Sequence, residues 1–559
     1  MNVAEIIALE LKKNSIKDIF MLTGYGAMYL NDAIEQTGLK YYAARNEAAA
    51  PMMAEAYAKS KNQMGAVCVT AGPGATNALP GLAEAFVDSA PIIVISGQVE
   101  NRFCADTYKS LNIRTLGTAE FSITRILEKI TKYAVKIDDP KKCLYLIQKA
   151  LYMANSGRPG PVWIEVPLDI QSVKIKSPNK LKKYYPPKQR ITNNNKNILK
   201  IIEIIKNSKK PLFAIGNGLK QSNQLNNFKK LLSKTKIPFI TTRFANDLFP
   251  YSHKQNLGLC GIKGVPHSKK VTDDCDLLIS FGNRFSPTFC LGNPKTFAKN
   301  AYCVSINNDK DELNLDLKVI NQKVIANLET FIPKFLELAS KTKFPNFNDW
   351  LKFCNIQKTK DVIPNLYSKK NPIDLYRFMY LLGNKCTKKH TLVTDAGSNY
   401  YIGGQAWHFN NGGKEISSGA NAAMGLSLPL SIGAAVSDKN GQVLSVTGDG
   451  SIELNIQELK TISHYKLNIK TFVINNGGYV SMKKWQDNFF AGNRLDTEDL
   501  TGVGTLNFHQ IAKAFDLKYE IINKEKEINS KLKKILSNNQ PYLIEVVTDP
   551  NQKIYGKEF

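Results

Sequence analysis

The sequence predicts an α/β protein made of three doubly wound parallel-sheet domains, and three observations carry that prediction. A chain of 559 residues, 43% of them hydrophobic, is too long for a single hydrophobic core. Short apolar runs of strand length alternate with segments of helical periodicity along the whole chain, the order that parallel sheets require. The first and last of the resulting units are also similar in size and pattern.

In the first unit, residues 1–172, helical periodicity from Val3 onward alternates with strands expected at 65–70 (GAVCVT), 90–96 (APIIVIS) and 160–166 (GPVWIEV). Residues 173–195 are rich in Lys, Pro and Asn and read as a linker. The second unit, 196–345, carries expected strands at 211–216, 275–282 and 301–307, and its end is blurred by an aromatic, lysine-rich stretch from Lys341 to Lys370. The third, 371–549, opens on the helix-like PIDLYRFMYLLGNK and adds strands at 391–396, 442–448, 470–476 and 541–548.

Composition narrows the function classes. No apolar run reaches the roughly 18 residues of a membrane span, and the N-terminus carries acids and lysines where a secretory segment needs apolar residues. A soluble, cytoplasmic protein without a membrane partner is therefore expected. The nine cysteines lie scattered from Cys68 to Cys386 with no CxxC pair, which favours reduced thiols over zinc or disulfides. The formal charge of +27 is spread over many helices and loops rather than gathered in a basic, aromatic-interleaved stripe. It reads as solvated surface, with attraction of an anionic substrate as the second reading and no nucleic-acid partner expected.

The most informative segment begins at Gly448. A buried strand, QVLSVT, runs into Gly448-Asp449-Gly450-Ser451, then a helix expected at about 455–464, then a second strand ending in Asn475-Asn476. Glycines there allow a sharp turn at the carboxyl end of a strand, where open α/β sheets bind ligands, and let phosphate approach main-chain N–H groups. Asp449 and Asn476, at the ends of adjacent strands, could share one hard cation. Magnesium suits such a site, because it takes few protein oxygens together with diphosphate oxygens and water.

This arrangement resembles the thiamine diphosphate motif of the thiamine-dependent decarboxylase and ligase superfamily. The resemblance implies that Asp449, Asn476 and the main-chain carbonyl of Gly478 hold magnesium, with Gly448, Gly450, Ser451 and Tyr479 around the diphosphate. It extends to the first domain, where ARNEAAAPMMAEAYAKS puts Glu47 in the place of the family's activating glutamate. A carboxyl group bonded to the aminopyrimidine favours the imino tautomer that makes the cofactor its own base, a role suited to a partly desolvated acid. Read alone, Glu47 is equally an acid favoured at a helix N-terminus.

The stretch VTAGPGATNALPGLAEAFVDSAPIIVISGQV is similar to the acetolactate-synthase branch and implies that Gly72, Pro73, Gly74 and Asn77 form a loop near the pyrimidine. Met424, in SSGANAAMG, takes the position of the apolar residue beneath the cofactor, though core filling is the usual role of a methionine. Gly397, Ser398, Asn399 and Gln405, in TDAGSNYYIGGQ, are further cofactor-contacting candidates. The resemblance covers nearly the whole chain and implies a homodimer or homotetramer in which Glu47 of one subunit meets cofactor held by another.

The implied reaction is thiamine-diphosphate-dependent decarboxylation of a 2-oxo acid, with pyruvate the expected donor, and transfer of the acyl carbanion to a carbonyl acceptor. The acceptor pocket gives mixed signals. Trp485 and Gln486 match the Trp-Gln pair of acetolactate synthases. In FGNRFSPTFCLG, however, Arg284 is kept while Thr288 stands where those enzymes have an arginine for the acceptor's carboxylate. Losing such a pair costs about 2–5 kcal/mol of recognition. Ala119 likewise replaces a glutamine. Acetyl transfer to a nucleotide-linked keto sugar in polysaccharide biosynthesis, and simple decarboxylation, stay open as alternatives. FAD stays open too: Gly216, Gly218, Arg243, Gly258, Gly261, Gly264, Gly282 and Arg284 are present, but Asn307-Asn308 replaces an acidic strand end.

Overall fold

Three six-stranded, all-parallel sheets organise the computed structural model, which describes residues 1–108, 110–187, 194–316 and 320–556. The first sheet uses strands Asp18–Met21, Lys40–Ala43, Gly65–Val69, Ile92–Gln98, Tyr133–Lys136 and Val162–Pro167. The third uses His390–Thr394, Lys414–Ser417, Gln442–Gly448, Ile469–Asn475, Lys518–Ile522 and Tyr542–Val547. Counted in chain order, both have the spatial order 2-1-3-4-6-5. The likeness of the outer units in sequence pattern is thus a shared topology.

The central sheet, from Pro211–Ile215 to Gln322–Ile325, has the order 3-2-1-4-5-6, which is that of dinucleotide-binding sheets. Its strands are near-continuous apolar runs because helices cover both faces; Leu277–Phe281, for example, is buried at every residue.

The outer domains dock through a pair of helices, Ala49–Lys61 and Ser427–Ser437, whose small residues allow close backbone approach. A Cβ on Gly433 would lie 1.9 Å from the Met53 carbonyl oxygen. One apolar core runs through both domains, with Met53 and Ala56 against Leu430 and Val436. Beside it, partly buried Lys59 pairs with Glu55 and with Asp88 (2.8 Å), donates to the Ser417 carbonyl (3.0 Å) and lies 4.7 Å from the Phe244 ring centre. That one side chain touches all three domains.

Several local expectations shift. The stretch Lys341–Lys370 contains a helix, Asn348–Lys360, that the sequence pattern hid because it buries only Trp350 and Cys354. Trp350 Nε1 donates to the Pro211 carbonyl (2.9 Å), so the helix covers the central sheet. The helix expected at 455–464 is a 3-10 turn, Ile452–Asn455, followed by Glu458–His464. The strand expected at 160–166 is Val162–Pro167. Of the expected linker, 188–193 lie outside the described residues, and Pro178–Lys180 forms a 3-10 turn. All nine cysteines are free and buried. Among the described residues no helix is long and apolar enough to cross a membrane.

Candidate functional site

The third sheet reverses its winding between its first and third strands, and this is where the Gly448 turn lies. Asp449 follows strand Gln442–Gly448, and its N–H donates to the Ile474 carbonyl (3.1 Å) on the neighbouring strand. Its carboxylate is 4% exposed. Oδ2 accepts from the N–H groups of Asn476 and Gly478 (both 3.0 Å) and Oδ1 from that of Gly450 (2.9 Å). Burial pushes this carboxyl above its usual range, against the pull of those N–H donors. Asp449 and Asn476 are therefore joined by backbone as well as by sequence spacing.

The glycines around this turn fall into two groups. Gly450 and Gly478 are demanded by packing: a Cβ on the first would meet the Tyr479 ring at 2.4 Å, and one on the second the Thr497 carbonyl oxygen at 2.3 Å. Gly397, Gly448 and Gly477 instead face open space. The nearest atoms to their added Cβ positions are Ser481 Oγ at 4.0 Å, Ser451 Cβ at 3.8 Å and, for Gly477, nothing within 4 Å. The open side is a cradle at the carboxyl ends of three neighbouring strands, beside the first turn of helix Gly397–Ala406, whose leading N–H groups point outward.

Asp395, which sequence reasoning passed over, holds the cradle together. It is fully buried, accepts from Thr447 Oγ1 (2.8 Å), Ser451 Oγ (2.7 Å) and Asn399 Nδ2 (2.9 Å), and is raised above its usual range by that burial. The available signal was an acid at a strand end directly before Ala-Gly-Ser. Its neighbours are accordingly committed to the framework. Ser451 Oγ also accepts from Gly425 N–H (2.9 Å), and Asn399 also donates to the Val446 carbonyl (3.0 Å). Gln405 lies further away in function: its amide donates to the carbonyls of Gly264 and Tyr555 (3.0 Å each), tying the central domain and the C-terminal segment to helix Gly397–Ala406. Met424 is half-buried in the loop that enters this region.

At the carboxyl edge of the first sheet a second cluster forms. Glu47 Oε2 accepts from Asn77 Nδ2 (3.2 Å), and a Cβ on Gly74 would lie 3.4 Å from Oε1. Gly72 (φ 53°) passes so close to Ala119 that a Cβ there would be 2.2 Å from its carbonyl oxygen, and Ala119 itself has φ 56°. Glu47, Gly72, Pro73, Gly74, Asn77 and Ala119 are thus brought together. Among the described residues no hydrogen bond joins Glu47 to the Asp449 turn within the chain.

The five residues expected at an acceptor pocket are spread over three places. Ala119 belongs to the Glu47 cluster. Trp485 and Gln486 sit on helix Val480–Phe489, where Trp485 stacks on Phe489 (5.1 Å) and Gln486 accepts from Thr497 Oγ1 (2.8 Å). Arg284 and Thr288 line a cleft of about 330 Å³ where the central domain faces the outer two, with Gly216, Gly282 and Arg243 and, across from them, Arg158 and Tyr400. Gly216 and Gly218 are required there by contact with the Gly282 backbone, at 2.3 and 2.7 Å from their added Cβ atoms. Arg243 reaches across to the third domain, pairing with Glu415 and lying 4.6 Å from the Tyr400 ring centre.

Comparison with known proteins matches this layout domain by domain. Three family profiles of thiamine pyrophosphate enzymes fit the chain: the N-terminal TPP-binding domain over residues 1–114, the central domain over 198–347 and the C-terminal TPP-binding domain over 395–546. The acetolactate synthase large subunit of Lactococcus lactis is 30% identical over 99% of this chain and 93% of its own length. A probable acetolactate synthase large subunit of Methanocaldococcus jannaschii is 29% identical over 99% and 93%. The chloroplastic acetolactate synthase of Arabidopsis thaliana is 29% identical over 98% and 82%. With its three α/β sheets, its Asp449 turn and its full-length relatives, the chain belongs to the thiamine pyrophosphate-dependent enzymes, within the acetolactate-synthase-like family.

Proposed function

We propose that this enzyme decarboxylates a 2-oxo acid, with pyruvate as donor, and joins the acyl unit to a carbonyl acceptor, using thiamine diphosphate and Mg²⁺. The observation that carries the reading is the Asp449 turn with the open glycine cradle beside it. A carboxylate offers about four lone-pair positions. Backbone N–H groups of Gly450, Asn476, Gly477 and Gly478 surround this carboxylate, and a metal ion would bind at Oδ1, beside the Gly450 N–H. With the Asn476 side chain and the Gly478 carbonyl, this is the all-oxygen, few-ligand set that Mg²⁺ takes alongside diphosphate.

Bound thiamine diphosphate supplies the electron sink that decarboxylation requires. The protein's own contribution is positional and electrostatic. Gly397, Ser398 and Gly448 offer backbone to the diphosphate end, and Met424 an apolar surface. Glu47, oriented by Asn77, would hydrogen-bond the pyrimidine through its carboxyl group.

We infer a homodimer as the smallest active unit, with Glu47 of one subunit completing the site around Asp449 of the other. Both half-sites are edged by exposed apolar side chains, Tyr25 and Leu116 in the first domain and Leu454, Met482 and Phe490 in the third. Such patches call for cover. For FAD, the central cleft is the place we propose. It lies where the 3-2-1-4-5-6 sheet reverses its winding, and Arg284 and Lys263 line it. Flavin absorbance of the purified protein tests this.

For the acceptor, the acetolactate synthase relatives support a second 2-oxo acid, while the missing arginine at Thr288, which lines the central cleft, makes a nucleotide-linked keto sugar the alternative to test. The deciding experiment supplies pyruvate with thiamine diphosphate and Mg²⁺, alone and with a panel of acceptors, and follows carbon dioxide and products. Carbon dioxide release that needs both cofactors supports the donor reading, and no turnover with any simple 2-oxo acid would sink it. Acetolactate from pyruvate alone would assign a 2-oxo acid acceptor. A new hydroxyketone formed only with the keto sugar would assign the other.

A further inference from the structure

Helix Val480–Phe489 begins immediately after the Asn476–Tyr479 turn and directs its second residue, Ser481, toward the cradle. The Ser481 Oγ is buried and makes no hydrogen bond among the described residues. It is the nearest atom, at 4.0 Å, to a Cβ built on Gly397. A serine in the first turn of a helix ordinarily caps a backbone N–H or bonds back to a carbonyl. Ser481 does neither, and buried hydroxyls without a partner are rare enough to require a reason.

The surroundings say what kind of partner the hydroxyl faces. Two helices of ten residues, Gly397–Ala406 and Val480–Phe489, start at this spot, so two positive dipole ends converge on it. One turn along, buried Lys483 places its ammonium against the Gly477 carbonyl (3.1 Å). Gly397, Gly448 and Gly477 leave room for a group of several atoms. Convergent helix N-termini, a nearby cation and a spare O–H donor together suit a phosphate oxygen.

We propose that Ser481 is a cofactor-binding residue whose hydroxyl donates to the terminal phosphate of thiamine diphosphate, between Gly397 and the first turn of helix Val480–Phe489. The inference rests on the thiamine diphosphate reading of this site. No bond is made or broken in the contact. Its effect is to fix the phosphate end, and with it the depth at which the cofactor sits.

The test is a calorimetric titration of the cofactor-stripped full-length protein with thiamine diphosphate at saturating Mg²⁺, with melting curves of each stripped variant. Ser481→Ala should bind about tenfold more weakly, the loss expected for one hydrogen bond to a charged acceptor. Ser481→Thr, which keeps the hydroxyl, should bind close to wild type, and the melting midpoints of the stripped proteins should coincide. Unchanged affinity in Ser481→Ala overturns the proposal and leaves the cofactor reading standing. So does an equal loss in Ser481→Thr, or a lowered midpoint of stripped Ser481→Ala, since either makes the role steric or structural. A wild-type protein that takes up no thiamine diphosphate overturns the cofactor reading itself, and the proposal with it.

Discussion

Asp449 braces the 476–478 turn by accepting from its N–H groups, and in the proposed reading the same carboxylate also binds Mg²⁺. Asp449→Asn keeps most of the shape and removes the charge. Its expected outcome is at least a tenfold loss of Mg²⁺-dependent thiamine diphosphate affinity by calorimetry, with the stripped protein still folded by circular dichroism. Glu165 gives a prediction of another kind. It is 1% exposed on strand Val162–Pro167, accepts from Gln98 Nε2 (2.8 Å), and is pushed by burial from about 4.5 up to about 8. The folded protein therefore holds a proton there that the unfolded chain releases, so this group's contribution to stability falls as pH rises from about 4.5 through about 8. Glu165→Gln should raise the melting midpoint at about pH 9 and leave it nearly unchanged at about pH 4. A midpoint that moves equally at both would refute the assignment. At this scale the sequence was readable where a residue's role is tied to a local turn, as at Asp449. It was unreadable at Asp395, whose role depends on Thr447 and Ser451 arriving from another strand.

Among the elements, the helix pair Ala49–Lys61 and Ser427–Ser437 decides how the outer domains meet. Alanines and one glycine line the contact, and the small moment of each helix hides that both are buried along most of their length. Gly433→Ala would set a methyl group 1.9 Å from the Met53 carbonyl oxygen, and backbone cannot yield as a flexible side chain can. The expected cost is about 1–3 kcal/mol, seen as a lower melting midpoint with little change in secondary structure at low temperature. Ser451, Asn399 and Gln405 belong to this scale as well. Their sequence neighbourhoods point to the cofactor, but their hydrogen bonds are spent joining strands, helix and central domain. Type and spacing alone do not separate a polar group facing a ligand from one facing another element.

For the molecule as a whole, the central issue is whether one chain contains a complete site. Glu47 has its partners in the first domain and Asp449 in the third. If sites are shared across a twofold dimer, a Glu47→Gln chain paired with an Asp449→Asn chain builds one intact site and one doubly altered site. Each variant alone should release carbon dioxide from pyruvate at least 100-fold more slowly than wild type, the order of effect for losing an acid–base group. Co-expressed in equal amounts, the two should recover roughly a quarter of wild-type activity. No recovery in hybrids shown to form by mass would place the site within one chain. The charge of +27 acts at this same scale as a solvated surface whose long-range field weakens as salt is added.

Three parallel α/β units, the Gly448–Ser451 turn and the acid at position 47 were all legible in the sequence, because each is written in short-range patterns: apolar runs, strand-end glycines, and an acid before a helix. Strand order was not, since periodicity reports that a strand exists and not which neighbour it pairs with. Only the tertiary structure shows that the outer sheets share 2-1-3-4-6-5 while the central one follows 3-2-1-4-5-6. Helix Asn348–Lys360 stayed hidden for a related reason: with two buried residues its amphipathic signal is weak, and its place is set by Trp350 reaching Pro211 across the fold. The open cradle, the brace at Asp395 and the spare hydroxyl of Ser481 are likewise products of chain segments far apart in sequence meeting in space, which no local pattern encodes.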